Sequence, residues 1–311
     1  MYDTTKPYTK QILELIKQTW ETPYVSVKKE IIEKKFSHPE TSSSDGIGTK
    51  GVYHWQQRSF RNAVLDGLGM NLNDLLLLRA RPYKLQNHIF VPKEDGGAIL
   101  EIIKSLSKEC KERDIAVTGG ETSVHYNMHG LEISMTVDGF IKNPKPNTFV
   151  NGDVLIGLKS NGLHSNGFTR VREIFEEEFR SEFIEPTKIY LEEILALDER
   201  FDIHGMMHIT GGAYTKLKGL LPDTNAIIDF RDLKANDIFY ELYERGVSDK
   251  EMYKTFNCGI GFVLSTSRKD SEKILSESNN LGLESSIIGE ITSGTGSVKI
   301  KSMFSKNEVI L

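Results

Sequence analysis

Asn143-Pro144-Lys145-Pro146-Asn147, followed by Val154-Leu155-Ile156-Gly157-Leu158, decides how the chain is read. Two prolines in five residues suit neither a helix nor the interior of a sheet, so the first stretch reads as a linker. The second is a continuous apolar run of strand length. A grammar of strands, glycine-bearing loops and helices closes before residue 145 and restarts after it. With 311 residues, about twice a common domain, the chain is expected to form two domains, 1–145 and 146–311.

On the N-terminal side, residues 62–80 set Val64, Leu65, Leu68, Leu72, Leu75 and Leu76 at helical spacing. Residues 96–113 do the same with Ile99, Ile102, Ile103, Leu106 and Cys110. Ile115-Ala116-Val117 reads as a short strand ending in a loop, Thr118-Gly119-Gly120-Glu121-Thr122. Leu131-Glu132-Ile133-Ser134-Met135-Thr136-Val137 alternates as a strand with one buried face. No glycine precedes Gly46, and the first 44 residues read as helical around Ile12, Leu15 and Ile16, with residues 28–35 as a charged helix face. Past the linker, strands are expected at 154–158, 226–228, 259–264 and 286–288, and helices at 169–179, 190–197, 214–221 and 270–276. The fold class is α/β (α+β), in two domains.

The composition is 38% hydrophobic and 27% charged, which is globular, and the net charge of −5 argues against a general nucleic-acid binder. Cys110 and Cys258 are too few for a disulfide framework and suit a reducing compartment. Residues 1–7 show no apolar signal region, and the longest aliphatic run, Leu75 to Leu78, is far short of a membrane span. A cytoplasmic protein without a membrane partner is expected.

Three acidic, glycine-bearing segments lie in the first half. Asp45-Gly46-Ile47-Gly48-Thr49-Lys50 offers a carboxylate, two glycines and a cation able to reach a phosphate, although a plain turn reads equally well. Asp66 and Asn73 are seven residues apart and share one face of a helix, with Asp74 beside them. A solvated face would account for them. Gly67 and Gly69, however, each cost helix stability unless a backbone or a ligand comes close. Gly119-Gly120-Glu121-Thr122 is the third segment. Asp45, Asp74 and Glu121 together have the hard oxygens that suit Mg²⁺. In the second half, Gly162-Leu163-His164-Ser165-Asn166-Gly167 and Thr210-Gly211-Gly212 each precede a helical stretch. They read either as anion-binding loops or as capped helix starts. His125/His129 and His204/His208 are spaced four apart but lack a zinc-helix pattern, and no Gly-x-Ser-x-Gly elbow is present.

Taken in order, these segments resemble the aminoimidazole ribonucleotide synthetase (phosphoribosylformylglycinamidine cyclo-ligase) family of purine biosynthesis. Glu251-Met252-Tyr253-Lys254-Thr255-Phe256-Asn257-Cys258-Gly259-Ile260-Gly261 and the His-Ser-Asn-Gly loop favour it over relatives that make selenophosphate or thiamine diphosphate, or that mature hydrogenase. The resemblance implies ATP- and Mg²⁺-dependent closure of formylglycinamidine ribonucleotide to aminoimidazole ribonucleotide. It also implies a homodimer formed through the N-terminal sheets. Asp45, Asp74 and Glu121 become metal candidates. Gly46, Gly48, Thr49, Lys50, Asp66, Asn73, Gly119, Gly120 and Thr122 become nucleotide-side candidates. His164, Ser165, Asn166, Gly167, Thr210, Gly211 and Gly212 would hold the ribonucleotide, with His164 also counted as catalytic beside Lys50 and the acids.

The sequence departs from the family pattern in four places. It lacks a glycine-rich N-terminal segment, and the strand before Asp45 is replaced by polar Ser37-His38-Pro39-Glu40-Thr41-Ser42-Ser43-Ser44. Ser123-Val124-His125-Tyr126 stands where an acid and a Met-Pro pair are usual, and residues 139–150 are shortened. A same-fold enzyme with another substrate, or a nucleotide-binding relative without turnover, is the alternative.

Overall fold

Helix-forming and strand-forming patterns in the first 144 residues assemble into one layer of helices on one small sheet. The computed structural model describes residues 8–29, 31–230 and 233–311; residues 1–7, read above as lacking a signal region, and Glu30 of the charged run lie outside it. The chain divides into two units, residues 1–144 with 179–189, and residues 145–178 with 190–311. The expected division near 145 did not include the return of 179–189 to the first unit.

The first unit runs α1 (Thr9–Lys17), β1 (Val25–Lys28), β2 (Ile31–Lys34), β3 (Glu40–Gly46), α2 (Gly51–Gln57), α3 (Phe60–Leu76), β4 (Ala80–Val91), α4 (Gly96–Glu112), β5 (Ala116–Val124) and β6 (Glu132–Ile141). Strands β3-β6-β4-β5 form a sheet, antiparallel except for β4 with β5. Helix α3 packs on β3, β4 and β6 and helix α4 on α3 and β5, and Leu68, Leu72, Ile99, Ile103 and Leu106 are buried, as are Leu85, Ile133 and Val137. The other face carries Ser42, Ser44, Thr136, Asp138, Lys84, Gln86 and His88, tied crosswise by Lys84–Asp138 at 2.7 Å and Ser44–Thr136 at 3.0 Å.

Two expectations fail here. The first 44 residues are not all helical, because Val25 and Val27 of the β1–β2 hairpin bury against Tyr83, Ala116 and Phe140. The polar run before Asp45 is not a lost strand either. Residues 40–46 pair in register with β6, and their hydroxyls suit a strand whose outer face is wet.

The second unit runs β7 (Val154–Lys159), α5 (Phe168–Phe175), α6 (Leu191–Arg200), β8 (Ile203–His208), β9 (Thr224–Asp229), α7 (Asp237–Glu244), α8 (Asp249–Thr255), β10 (Ile260–Thr266), α9 (Arg268–Asn280), β11 (Ser285–Ser293), β12 (Val298–Lys301) and β13 (Glu308–Ile310). Among the described residues its sheet has the order β13-β12-β9-β11-β7-β10-β8. The helix expected at 214–221 is a 3-10 helix over Ala213–Leu220. Strands β7 and β8 both pair antiparallel with β10, so their C-terminal ends and the start of β10 share one edge. No helix of the described residues is long and apolar enough to cross a membrane.

Candidate active site

In the first unit, helix α3 turns a polar stripe toward residues 184–188. Asn62 Nδ2 donates to the Ile184 carbonyl at 2.9 Å, and Asn73 Nδ2 to that of Lys188 at 2.8 Å. Between them, Asp66 Oδ1 accepts from Thr187 N–H at 2.7 Å and from its hydroxyl at 2.8 Å. A Cβ on Gly69 would lie 2.8 Å from Thr187 Cγ2, and one on Gly67 would lie 2.9 Å from Met135 Cε. The two glycines are thus explained by close neighbours in the chain. The shared face of Asp66 and Asn73 is real, and it binds protein backbone.

Lys50 belongs to the same interior cluster. Its ammonium is 2.8 Å from Asp66 Oδ2 and also donates to the Glu185 carbonyl, with Lys50, His54 and Asp66 wholly buried. His54 Nε2 lies 2.7 Å from Asp66 Oδ2, and His54 Nδ1 lies 2.8 Å from the Ser59 hydroxyl. Burial pushes the His54 pKa down, so the neutral ring donates through Nε2–H and accepts at Nδ1. Burial also lowers the Lys50 pKa, and Asp66 opposes that shift. Burial alone would raise Asp66, but Lys50 and His54 bring it down to about 2. The expectation of Lys50 as a phosphate-reaching cation is therefore corrected: an ammonium held by a carboxylate and a carbonyl in the interior ties the turn at residue 50 to α3 and to residues 185–187.

The expected metal candidates Asp45, Asp74 and Glu121 stand on β3, α3 and β5. Asp45 pairs with Met135, Met135 with Asn87, and Asn87 with Gly120. In the next row Gly46, Ser134, His88 and Glu121 are partners. Side chains alternate across a sheet, so Asp45 falls on the helix-covered face and Glu121 on the solvent face. Asp74 stands one turn beyond Asn71, whose amide donates to the Asp45 carbonyl at 3.2 Å. Among the described residues no three His, Cys, Asp or Glu side chains are grouped to hold a metal ion. Gly119-Gly120-Glu121-Thr122 is also not a loop, since β5 continues through it. Glu121 bonds locally to the Thr122 N–H at 2.7 Å, and Thr122 is buried.

Sequence reasoning missed Glu132. It opens β6 near the N–H groups of Gly48 and Ile47, of which that of Ile47 donates to the Ile133 carbonyl at 3.1 Å. A Cβ on Gly46 would lie 2.5 Å from Glu132 Oε1. Burial, reinforced by the Asp45 charge, pushes the Glu132 carboxyl up to about 7 against those N–H groups. Its signal was the single carboxylate in the alternating strand, one position after the apolar Leu131.

The second unit brings its two expected loops together. Asn166 Nδ2 donates to Thr210 Oγ1, and Gly211 leaves room for Asn166 Oδ1, which would be 3.2 Å from a Cβ there. Asn257 braces the first loop by donating to the Gly162 carbonyl at 2.8 Å, while its Oδ1 accepts from Ser160 at 3.0 Å and from Gly259 N–H at 2.8 Å. His164 is buried in a left-handed conformation with φ 59°. A Cβ on Gly261 would lie 2.6 Å from His164 Cε1, so only glycine admits the ring there. Gly167 and Gly212 adopt φ of 76° and 81°, which L side chains rarely take, and each opens a helical segment. Ser165 is half-buried between His164 and Asn166. His204 and His208 lie on strand β8, where His204 Nδ1 is 2.9 Å from both Asp153 oxygens and His208 stacks on Phe262.

Residues 40–141 match the AIR synthase related protein N-terminal domain and residues 150–301 its C-terminal domain. A phosphoribosylformylglycinamidine cyclo-ligase of Methanococcus vannielii is 33% identical over 86% of this chain and 81% of its own. That of Clostridium perfringens is 34% identical over 84% and 83%. Among solved structures, E. coli HypE, a hydrogenase maturation protein, superposes with a TM-score of 0.72 at 15% identity, over 97% of this chain and 96% of that one. Thiamine-monophosphate kinase from Stenotrophomonas maltophilia gives 0.71 at 17%, over 97% and 98%. These structures share the fold, while sequence identity places the chain closer to the cyclo-ligases. The chain belongs to the AIR synthase related family.

Proposed function

We propose that the chain is an ATP-dependent cyclo-ligase that closes formylglycinamidine ribonucleotide to aminoimidazole ribonucleotide in purine biosynthesis, acting in the cytoplasm as a homodimer. One observation carries the reading: the 162–167 and 210–212 loops, bonded through Asn166 and Thr210, stand at one sheet edge with Gly167 and Gly212 in left-handed conformations. Loops of this kind expose N–H and hydroxyl groups to a phosphorylated ligand. In this reading His164, Ser165, Asn166, Gly167, Thr210, Gly211 and Gly212 hold the ribonucleotide.

ATP supplies the phosphoryl group that turns the amide oxygen into a leaving group; the chain's work is positioning and charge neutralisation. Magnesium needs only one or two protein carboxylates when phosphates complete its shell. Asp45 and Asp74, at the β3 end and on α3, fit that demand. Glu121, on the opposite sheet face, does not join them within one chain. For the dimer, the polar sheet face bearing Ser42, Ser44, Gln86 and Glu121 is the surface we assign.

The test is ADP release by the purified protein with Mg·ATP, with and without formylglycinamidine ribonucleotide. Substrate-dependent ADP together with aminoimidazole ribonucleotide is expected, and Asp74→Ala is expected to abolish it with fold intact. Folded protein that binds the ribonucleotide but releases no ADP above background would overturn the reading.

A further inference from the structure

Residues 251–261 belong to neither the 162–167 nor the 210–212 loop, and near their end the backbone takes a costly form. Ile260 N–H donates to the Asn257 carbonyl at 3.0 Å, which closes a four-residue turn. Both central residues are left-handed, Cys258 at φ 48° and Gly259 at φ 92°. Glycine, asparagine or aspartate usually fills such positions. A cysteine persists in one only where its surroundings over-determine the turn. Asn257 does so, because its Oδ1 accepts from Gly259 N–H at 2.8 Å and from the Ser160 hydroxyl at 3.0 Å.

The same residue reaches both loops. Its Nδ2 donates to the Gly162 carbonyl at 2.8 Å, where the first loop begins. Its own carbonyl also accepts from the Tyr214 hydroxyl at 2.9 Å, and Tyr214 stands on the 3-10 helix Ala213–Leu220 that opens after Gly212. Asn257 and Tyr214 are buried, so water does not compete for these bonds. We propose that Asn257 is a positioning residue for the ribonucleotide. Its amide sets the 162–167 loop and its carbonyl, through Tyr214, sets the 210–212 loop, so that Asn166 meets Thr210. The identity of the ligand rests on the cyclo-ligase reading.

The experiment compares the full chain with its Asn257→Asp, Tyr214→Phe and Ser160→Ala variants by calorimetry, with formylglycinamidine ribonucleotide and Mg·ATP as separate probes. Asn257→Asp keeps the acceptor for Ser160 and Gly259 and turns a carboxylate oxygen, in place of a donor, on the Gly162 carbonyl. The Kd for the ribonucleotide is expected to rise about tenfold, and that for Mg·ATP to stay within about twofold. Tyr214→Phe leaves the Asn257 carbonyl its Ile260 N–H and should raise the ribonucleotide Kd about threefold. Ser160→Ala removes a bond that Asn257 makes to neither loop and should stay within about twofold. General destabilisation would not rank three buried positions by ligand in this way. An unchanged ribonucleotide Kd in Asn257→Asp, or equal losses for both ligands, would overturn the proposal. If Asn257→Asp does not fold, Tyr214→Phe decides, and an unchanged Kd there overturns it. A wild-type protein that binds the ribonucleotide without closing the ring would sink the cyclo-ligase reading and leave the ranking of the variants standing. One that binds no ribonucleotide would overturn both.

Discussion

Lys50 Nζ lies 2.8 Å from Asp66 Oδ2, and neither side chain reaches solvent. Removing one partner leaves a buried charge uncompensated, which costs about 3–5 kcal/mol. Asp66→Ala should lose that much in urea denaturation, and it should also release Thr187 N–H from its acceptor. A paired Lys50→Met, Asp66→Leu variant should recover part of the loss, because no lone charge remains inside. Equal destabilisation of the single and paired variants would show that the ion pair itself is not the cause.

Acid stability should follow the same carboxylate. Asp66 sits at about 2 when folded against an ordinary 3.8, so across that window the unfolded chain binds more protons. Stability therefore rises with pH there: the contribution of Asp66 is full above its unfolded value and is lost as pH falls through about 2. The expected loss is about 2 kcal/mol. Urea midpoints measured from pH 6 to pH 2 should show it in the wild type and lack it in Asp66→Asn.

The two helix glycines should answer differently to alanine. Both substitutions gain about 1 kcal/mol of helix propensity. At Gly67 the obstacle is the flexible end of Met135, so Gly67→Ala should be nearly neutral. At Gly69 the new Cβ meets Thr187 Cγ2 at 2.8 Å and its carbonyl oxygen at 3.1 Å, so Gly69→Ala should destabilise by roughly 1–3 kcal/mol. Thermal melts of the two variants would separate these cases.

Thr210→Val removes the hydroxyl that accepts from Asn166 while keeping the side-chain shape. Losing one such bond at a binding loop should raise the KM for the ribonucleotide about tenfold. The KM for ATP should stay within twofold, or roughly 0.4 kcal/mol. Parallel increases in both constants would argue against a role confined to the ribonucleotide.

Long, strongly periodic elements were legible. Helices α3 and α4 and strands β6, β7 and β10 stand where their apolar spacing puts them, because each buries one continuous face. Strand β4 was not read. Pro82 and a register shift between Pro82 and Lys84 interrupt its alternation before Leu85, Ile89 and Val91 resume it. The β1–β2 hairpin was hidden because its strands are four residues long and the second is largely exposed. In the candidate site, the 162–167 and 210–212 loops could be read from their glycines and caps. Lys50 could not, since its destination depends on Asp66 and on a backbone carbonyl 135 residues away. No local pattern encodes that distance.

The placement of residues 179–189 has a genetic consequence. The first unit is contiguous in space but interrupted along its coding sequence, and the partner of the α3 polar stripe is encoded after β7 and α5. A crossover or stop codon at the linker would deliver α3 with Asp66, Asn62 and Asn73 facing nothing and Lys50 without its carbonyl. The two halves are therefore not interchangeable cassettes. Recombination that preserves a working first unit must carry both of its coding pieces, so the two units are inherited as a single block.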